Sequence, residues 1–381
     1  MDSSLPAQGL ELRSLVNGDG TLELSLSEVP IPTPRENQVL LRVEASPVNP
    51  SDLGLLLAGA DVSTASFGGT VERPIVTMAL PDGALRRMTA RVGTSMAVGN
   101  EGAGTVVAGG DSPLAQSLIG KTVSAAGGSM YSQYRAIDAA ACLVLPDGTS
   151  AREGASSFVN PLTALGMVAT MRREGHTGLV HTAAASNLGQ MLVKLCVEEQ
   201  IPLVNIVRKS EQVELLRSIG AAHVCNSSSP SFMSDLIDAL QLTGATLLFD
   251  AIGGGRLVSQ TLTAMEAAAS ASSTQYSRYG STTHKQAYIY GGLDPNPTVL
   301  TRSFGFAWSL GGWLLNSFLQ SLDAVSVQEL RERVAAGLTT TFLSHYTQEV
   351  SLAQALQPEA ITAYSKQATG EKYLITPNQA R

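Results

Sequence analysis

Short apolar runs punctuated by Pro and Gly fill residues 10–150: ELRSLV, TLELSLSEV, QVLLRVEASPV, GTVVAGG and CLVLP all read as β-strands. Between them, residues 55–95 form a long Gly/Ala/Thr-rich stretch that reads as an irregular lid or surface excursion. Near residue 150 the pattern changes. SAREGASSFVNPLTALGMVATMRR predicts a helix, a break at Pro161 and a second helix. Strand-like GLVHT, LVNIVR, AHVCN, ATLLFDAIGGG and AYIYGGL then alternate with helical stretches such as LGQMLVKLCVEEQ and EQVELLRSIG. Apolar strands alternating with helices of about 10–15 residues signal βαβ units and a parallel sheet. TLLFDAI is apolar on both faces, as a strand covered from both sides must be.

From about 325 a helix, VQELRERVAAGL, leads into a segment ending in another strand-like run. The compositionally loose interval 267–287 reads as a mobile loop. The expected division is a β-rich domain of residues 1–156 completed by 325–381, with a dinucleotide-type domain over 157–324.

Composition narrows the function. A chain of 381 residues, 44% hydrophobic and 15% charged, is globular and long enough for two cores. Its formal charge of -7 carries no footprint for nucleic acid. Cys142, Cys196 and Cys225 include no close pair, which suits a reducing compartment. The first residues lack a basic region followed by an apolar one, so no signal peptide is expected. The most apolar stretch, 305–319, is too short to span a bilayer. It reads as a strand and turn packed inside the protein or against a second subunit. The expectation is a soluble, cytoplasmic protein.

The stretch LVHTAAASNLGQMLVKL (179–195) carries the chemistry. It has the order strand, small residues, helix of a phosphate-binding turn, but only Gly189 remains of the usual glycines. Ala183, Ala184, Ala185 and Ser186 are small enough for a pyrophosphate to approach, and Ser186 can donate its hydroxyl. The alternative is a Gly-poor turn of any α/β protein. About 20 residues on, where an NAD site places an acid for the ribose, stand Arg208 and Lys209. Two cations suit a 2′-phosphate and hence NADPH, unless they form only a solvated turn.

With VEASPVNPSD (43–52), GNEGAGTVVAGG (99–110), GKTV (120–123), YSQY (131–134), LPDGTS (145–150), VNPLTA (159–164), LRSIGAAHV (216–224), FDAIGGG (249–255) and YGGL (290–293) in order, the chain resembles a known family. It is similar to the medium-chain dehydrogenase/reductase superfamily, in its zinc-free quinone oxidoreductase and enoyl thioester reductase branch. The resemblance runs from about residue 20 onward. It implies an α/β protein: a Rossmann-type doubly wound parallel-sheet domain plus a β-rich GroES-like catalytic domain, with the cofactor in the cleft. The superfamily's zinc alcohol dehydrogenases carry a catalytic Cys and His where this chain has Ser51 and Asn100, and a four-cysteine lobe with no counterpart here. The five histidines show no ligand spacing, so no metal is expected. Without a Lewis acid, reduction of an electrophilic acceptor is the more natural chemistry.

The resemblance places Asn49 and Thr163 near the nicotinamide, with Asn49 donating its amide to the cofactor or an acceptor oxygen. Asn49-Pro50 is otherwise a plain turn. Asn160 and Thr163 bind the cofactor or cap the helix after Pro161. Ser186, Asn187, Leu188 and Gly189 are expected to hold the pyrophosphate, and Arg208 and Lys209 the 2′-phosphate. Gly253, Gly291 and Gly292 lie at later strand ends, where ligands bind open sheets or where glycines simply turn. Tyr134 packs on the cofactor or acts as an acid, with Tyr131 a weaker candidate. The tyrosine that the enoyl reductases are expected to use has no counterpart, because no Tyr occurs between Asp52 and Tyr131. Trp308 falls either near substrate or at a subunit interface. These readings give an NADPH-dependent reductase of quinones or enones, acting as a homodimer. The alternatives are a trans-2-enoyl thioester reductase and a redox-inert NADPH-binding protein.

Overall fold

The structure, a computed structural model, describes residues 5–271, 277–366 and 370–379. It divides into two compact units, residues 1–159 with 331–381 and residues 160–330.

The first unit opens with β1 (Gln8–Val16), β2 (Thr21–Pro30), β3 (Gln38–Pro47) and α1 (Pro50–Leu56). Residues 55–95, read from the sequence as an irregular excursion, are largely regular. They form β4 (Asp61–Gly69), β5 (Pro74–Ala79), the short α2 (Ala84–Arg87) and β6 (Ser95–Ala97). These complete a five-stranded sheet in the order β4-β5-β2-β1-β6. Val76 and Met78 pair with Leu24 and Leu22 and belong to the core. The alternation is confined to this short run, while β4 is mostly exposed and compositionally loop-like. Arg91 fastens the return by donating from Nη2 to the Leu55 carbonyl (2.6 Å) and the Ser14 hydroxyl (2.7 Å).

The chain continues through β7 (Glu101–Gly109), α3 (Pro113–Leu118), β8 (Thr122–Ala126), β9 (Tyr134–Asp138), β10 (Leu143–Val144) and α4 (Ala151–Gly154). It then enters α5 (Val159–Arg173). Pro161 does not break a helix, contrary to the sequence reading. It lies in the first turn of α5, where a missing N–H costs nothing. Asn160 and Thr163 are therefore inside the helix and do not cap a later one.

In the second unit follow β11 (Leu179–Thr182), α6 (Asn187–Glu198), β12 (Leu203–Val207), α7 (Ser210–Ser218), β13 (His223–Asn226), α8 (Phe232–Thr243) and β14 (Leu247–Asp250). Then come β15 (Gly253–Gly255), α9 (Leu257–Ala271), β16 (Lys285–Ile289), β17 (Asp294–Thr298), β18 (Trp308–Gly312) and α10 (Leu315–Gln320). Six parallel strands stand in the order β13-β12-β11-β14-β16-β18. This is the doubly wound Rossmann order, which reverses between β11 and β14. Val180, Val204, Ile206 and Leu248 meet Leu236, Leu240, Leu262 and Met265 from the helices in one core. Of the interval 267–287, residues 272–276 lie outside the described residues. Ser281 and Lys285 are tied to Glu266 by hydrogen bonds.

The second boundary falls inside α11 (Ala324–Ala336). β19 (Gln348–Val350), α12 (Pro358–Lys366) and β20 (Tyr373–Ile375) then return to the first unit. β20 lies between β19 and β3 in a sheet of order β10-β8-β7-β3-β20-β19, to which β9 adds by pairing with β3. The architecture is the expected α/β one, a Rossmann-type domain with a β-rich GroES-like domain. Among the described residues no helix is long and apolar enough to cross a membrane.

Candidate functional site

The glycine-poor turn follows β11 at the point where the strand order reverses. Ser186 is the N-cap of α6 and accepts the Gly189 N–H at 3.1 Å. A Cβ on Gly189 would lie 2.1 Å from the Ala184 carbonyl oxygen, so only glycine fits this third position. Ala183 takes the left-handed conformation (φ 49°) that a glycine would adopt without strain. Asn187 and Leu188 form the first turn of α6, whose leading N–H groups and dipole favour an anion. The backbone thus forms a close-packed strand-to-helix turn whose helix N-terminus could hold an anion.

Side chains brace the floor of this turn. Thr182 donates to Asp250 at 2.7 Å and accepts the Ala251 N–H at 2.8 Å; Asp250 also accepts the Gly253 N–H at 2.7 Å. A Cβ on Gly291 would meet the Ala251 carbonyl at 2.6 Å, so strand ends 14 and 16 approach closely there. Gly291 and Gly292, with Tyr290, Trp313 and Leu314, line a cavity of about 500 Å³ in this unit. His181 Nε2 and the Tyr290 hydroxyl are 2.7 Å apart with their rings stacked. Burial pushes the His181 imidazole down to about 3, so it is neutral. Burial and Asp250 raise the Tyr290 hydroxyl.

Arg208 and Lys209 stand just past β12, and both are exposed. Their backbone N–H groups donate to Gln212 Oε1, which fixes the turn beneath them. No carboxylate occupies the strand-end place that an NAD site uses for the ribose; the residues there are cationic and fit a 2′-phosphate.

In the β-rich unit, Asn49 precedes α1 and is 1% exposed. Its Nδ2 donates to Glu101 Oε1 at 2.8 Å, and its N–H donates to Asp52 at 2.8 Å. Asp52 also accepts the Asn100 N–H at 2.7 Å, while Asn100 Nδ2 donates to Ser51 Oγ at 3.0 Å. Burial drives the Asp52 carboxyl up to about 7, against the two backbone N–H donors. Burial likewise raises Glu101, opposed by Lys372 and by the Val159 and Phe158 N–H groups. Lys372, which donates to Ser156 Oγ at 2.9 Å, is brought down to about 8 by burial. Tyr131 is fully buried and donates to the Pro47 carbonyl at 3.1 Å. Tyr134 lies half-buried on β9 opposite Arg42. Trp308 packs edge-on against Phe304, their centroids 4.9 Å apart, within the second unit's core.

Within the second unit the turn residues, Gly253, Gly291 and Gly292 thus share the carboxyl end of one sheet. Asn160 and Thr163 are buried in α5. The sequence reading gave no role to His181, Tyr290, Asp250, Asp52, Glu101 or Lys372. His181 and Asp250 stand out as polar residues in apolar strands and Tyr290 precedes a glycine pair, while Asp52, Glu101 and Lys372 carry no such signal.

No family model matches the chain. A mitochondrial enoyl-[acyl-carrier-protein] reductase of Xenopus tropicalis is 28% identical over 239 residues, 58% of this chain and 57% of that protein. This chain therefore spans little more than half the length of that relative. A Mesorhizobium loti protein, solved as a candidate NADPH:quinone reductase, is 26% identical. It aligns over 98% of this chain and 100% of its own, with a TM-score of 0.72. A mycobacterial structure containing NADPH aligns over 97% of this chain and 100% of its own, with a TM-score of 0.65 and 16% identity, a likeness of fold alone. The resemblance to the quinone and enoyl reductase branch holds in both fold and sequence.

Proposed function

We propose that this chain, similar to quinone and enoyl reductases of the medium-chain dehydrogenase/reductase superfamily, is an NADPH-dependent oxidoreductase that reduces a quinone or another conjugated carbonyl compound. The observation that carries the cofactor choice is the exposed Arg208–Lys209 pair at the end of β12, with the Ser186–Gly189 turn beside it in the same unit. NADPH, when bound, supplies hydride from its nicotinamide ring.

In this reading Ser186, Asn187, Leu188 and Gly189 hold the pyrophosphate, and Arg208 and Lys209 pair with the 2′-phosphate. Asn160, Thr163, Gly253, Gly291 and Gly292 bind along the rest of the cofactor. Asn49 and Thr163 serve the reacting end, where a fixed amide dipole stabilises charge that develops on the acceptor oxygen. Tyr134 is retained as a packing or acid residue. A reduced quinone takes its proton from solvent and needs no dedicated acid. The open edge of β18 is the strand through which a homodimer would pair.

Enoyl thioester reduction is the second reading, favoured by the match to the Xenopus enoyl reductase. Following NADPH and NADH oxidation against a quinone, a small enone and a trans-2-enoyl thioester separates these readings. Rapid NADPH loss with quinone or enone supports the first, and turnover mainly with thioester supports the second. Cofactor binding with no turnover identifies a redox-inert NADPH-binding protein.

A further inference from the structure

Glu101 is fully buried at the start of β7, yet its carboxylate meets three N–H donors. Oε1 accepts from Asn49 Nδ2 at 2.8 Å, and Oε2 accepts from the Phe158 and Val159 N–H groups at 2.8 and 2.9 Å. Pairing of β3 with β7, with Ala45 opposite Ala103, carries the end of β3 and the start of β7 to the same edge. Asn49 lies just beyond that end, which is why residues 52 positions apart in sequence meet. Phe158 immediately precedes α5 and Val159 begins it, at the end of the helix where backbone N–H groups have no partner within the helix. Lys372 supplies the opposite charge, and its ammonium is itself held by Ser156.

An ionised carboxylate only accepts hydrogen bonds. Facing Glu101, Asn49 must present its nitrogen, and its oxygen is thereby directed the other way. A neutral glutamine at the same place has one oxygen for the three donors and an NH₂ group that repels one of them. The orientation of the Asn49 amide would then be lost or inverted.

We propose that Glu101 is a positioning residue for the reduction reaction: one buried carboxylate fixes the orientation of the Asn49 amide and ties it to the Phe158 and Val159 N–H groups. This rests on the reductase reading above, in which Asn49 serves the reacting end. The effect is on rate, because a group misaligned at the moment of transfer costs turnover even when the cofactor binds.

The test compares wild type, N49A, E101Q/K372M and the triple variant. The paired substitution removes both charges, so no unpartnered ammonium is left buried. Thermal melting checks the fold, NADPH fluorescence titration gives Kd, and turnover uses whichever acceptor the wild type reduces. E101Q/K372M is expected to melt cooperatively and to bind NADPH within about threefold of wild type. Its kcat is expected to fall on the order of 10- to 100-fold. Adding N49A should cost less than about twofold more, since both changes remove one function. A kcat within about twofold of wild type, or losses that multiply in the triple variant, overturns the inference and leaves the reductase reading intact. A wild type idle with every acceptor overturns both. Should E101Q/K372M not fold, E101D with and without N49A carries the same comparison, because the shortened carboxylate cannot reach both sets of donors.

Discussion

Ser186 and Gly189 form one unit. The serine hydroxyl accepts the glycine N–H at 3.1 Å, and the glycine's missing side chain lets α6 press against the Ala184 carbonyl. Replacing Gly189 by Ala puts a carbon 2.1 Å from backbone oxygen, a clash that no rotamer relieves. Overpacking of this kind costs about 1–3 kcal/mol. G189A should lower the melting temperature and weaken NADPH binding together, as melting with and without cofactor will show.

Exposed Arg208 and Lys209 should govern the choice between cofactors and not the fold. A hydrogen bond to a charged group contributes about 1.5–3 kcal/mol. R208A/K209A should therefore lose on the order of 10- to 100-fold in kcat/KM for NADPH, with little change for NADH or in melting temperature. Equal losses for both cofactors would contradict the assignment.

Glu266 and Lys285 form a buried ion pair, the lysine fully enclosed. Burial alone would raise the Glu266 carboxyl, but hydrogen bonds from Lys285, Ser281 and Ser270 outweigh it and hold the group down at about 2. A carboxyl depressed in the folded state contributes stability above its unfolded value, and that contribution is lost as pH falls from about 4.5 toward 2. E266Q strands the buried ammonium and should cost about 3–5 kcal/mol at neutral pH. Urea unfolding should show the gap between variant and wild type narrowing below pH 4.5.

His181 acts in a different window. Its imidazole is depressed from 6.5 to about 3 by burial, so the folded state resists a proton that the unfolded chain accepts. Stability from this residue is full above pH 6.5 and declines as pH falls toward 3. H181N should flatten the acid slope of the unfolding midpoint through that range. Y290F keeps the slope and leaves His181 Nε2 without the hydroxyl, a loss of about 1–3 kcal/mol at neutral pH.

The parallel sheet was legible because β12 and β14 are apolar at all but one position, β11 opens on Leu179 and Val180, and helices of amphipathic pattern separate them. The Ser186–Gly189 turn was legible as a passage from strand to helix through small residues, which by themselves fit a phosphate-binding turn and an ordinary Gly-poor turn alike. Residues 55–95 were misread because the buried face of β5 is only Pro74, Val76 and Met78, and β4 beside it is mostly solvent-facing. Pro161 was read as a break when it marks a beginning; the decisive residue, Glu101, lies far away in sequence and caps that beginning. The left-handed Ala183 carried no announcement, because alanine does not signal that conformation as glycine does. Glu101, Asp52 and Lys372 are acids and a base in otherwise ordinary contexts, and tertiary pairing alone draws them into one buried cluster.

The placement of β20 sets an order of assembly. Leu374 pairs with Pro47, Ile375 pairs with Ser46, and Asn378 donates to the Val43 carbonyl at 2.9 Å. During synthesis β3 emerges more than three hundred residues before these partners, with the whole of residues 160–330 in between. The parallel-sheet unit has all of its strands while the ribosome is still working on the remainder. The β-rich unit must wait with an open slot beside β3, a contact of high sequence separation that slows its closure. Nascent chains halted before residue 373 would therefore hold a finished nucleotide-type unit and an unfinished partner, exposed to chaperones and proteases for that interval.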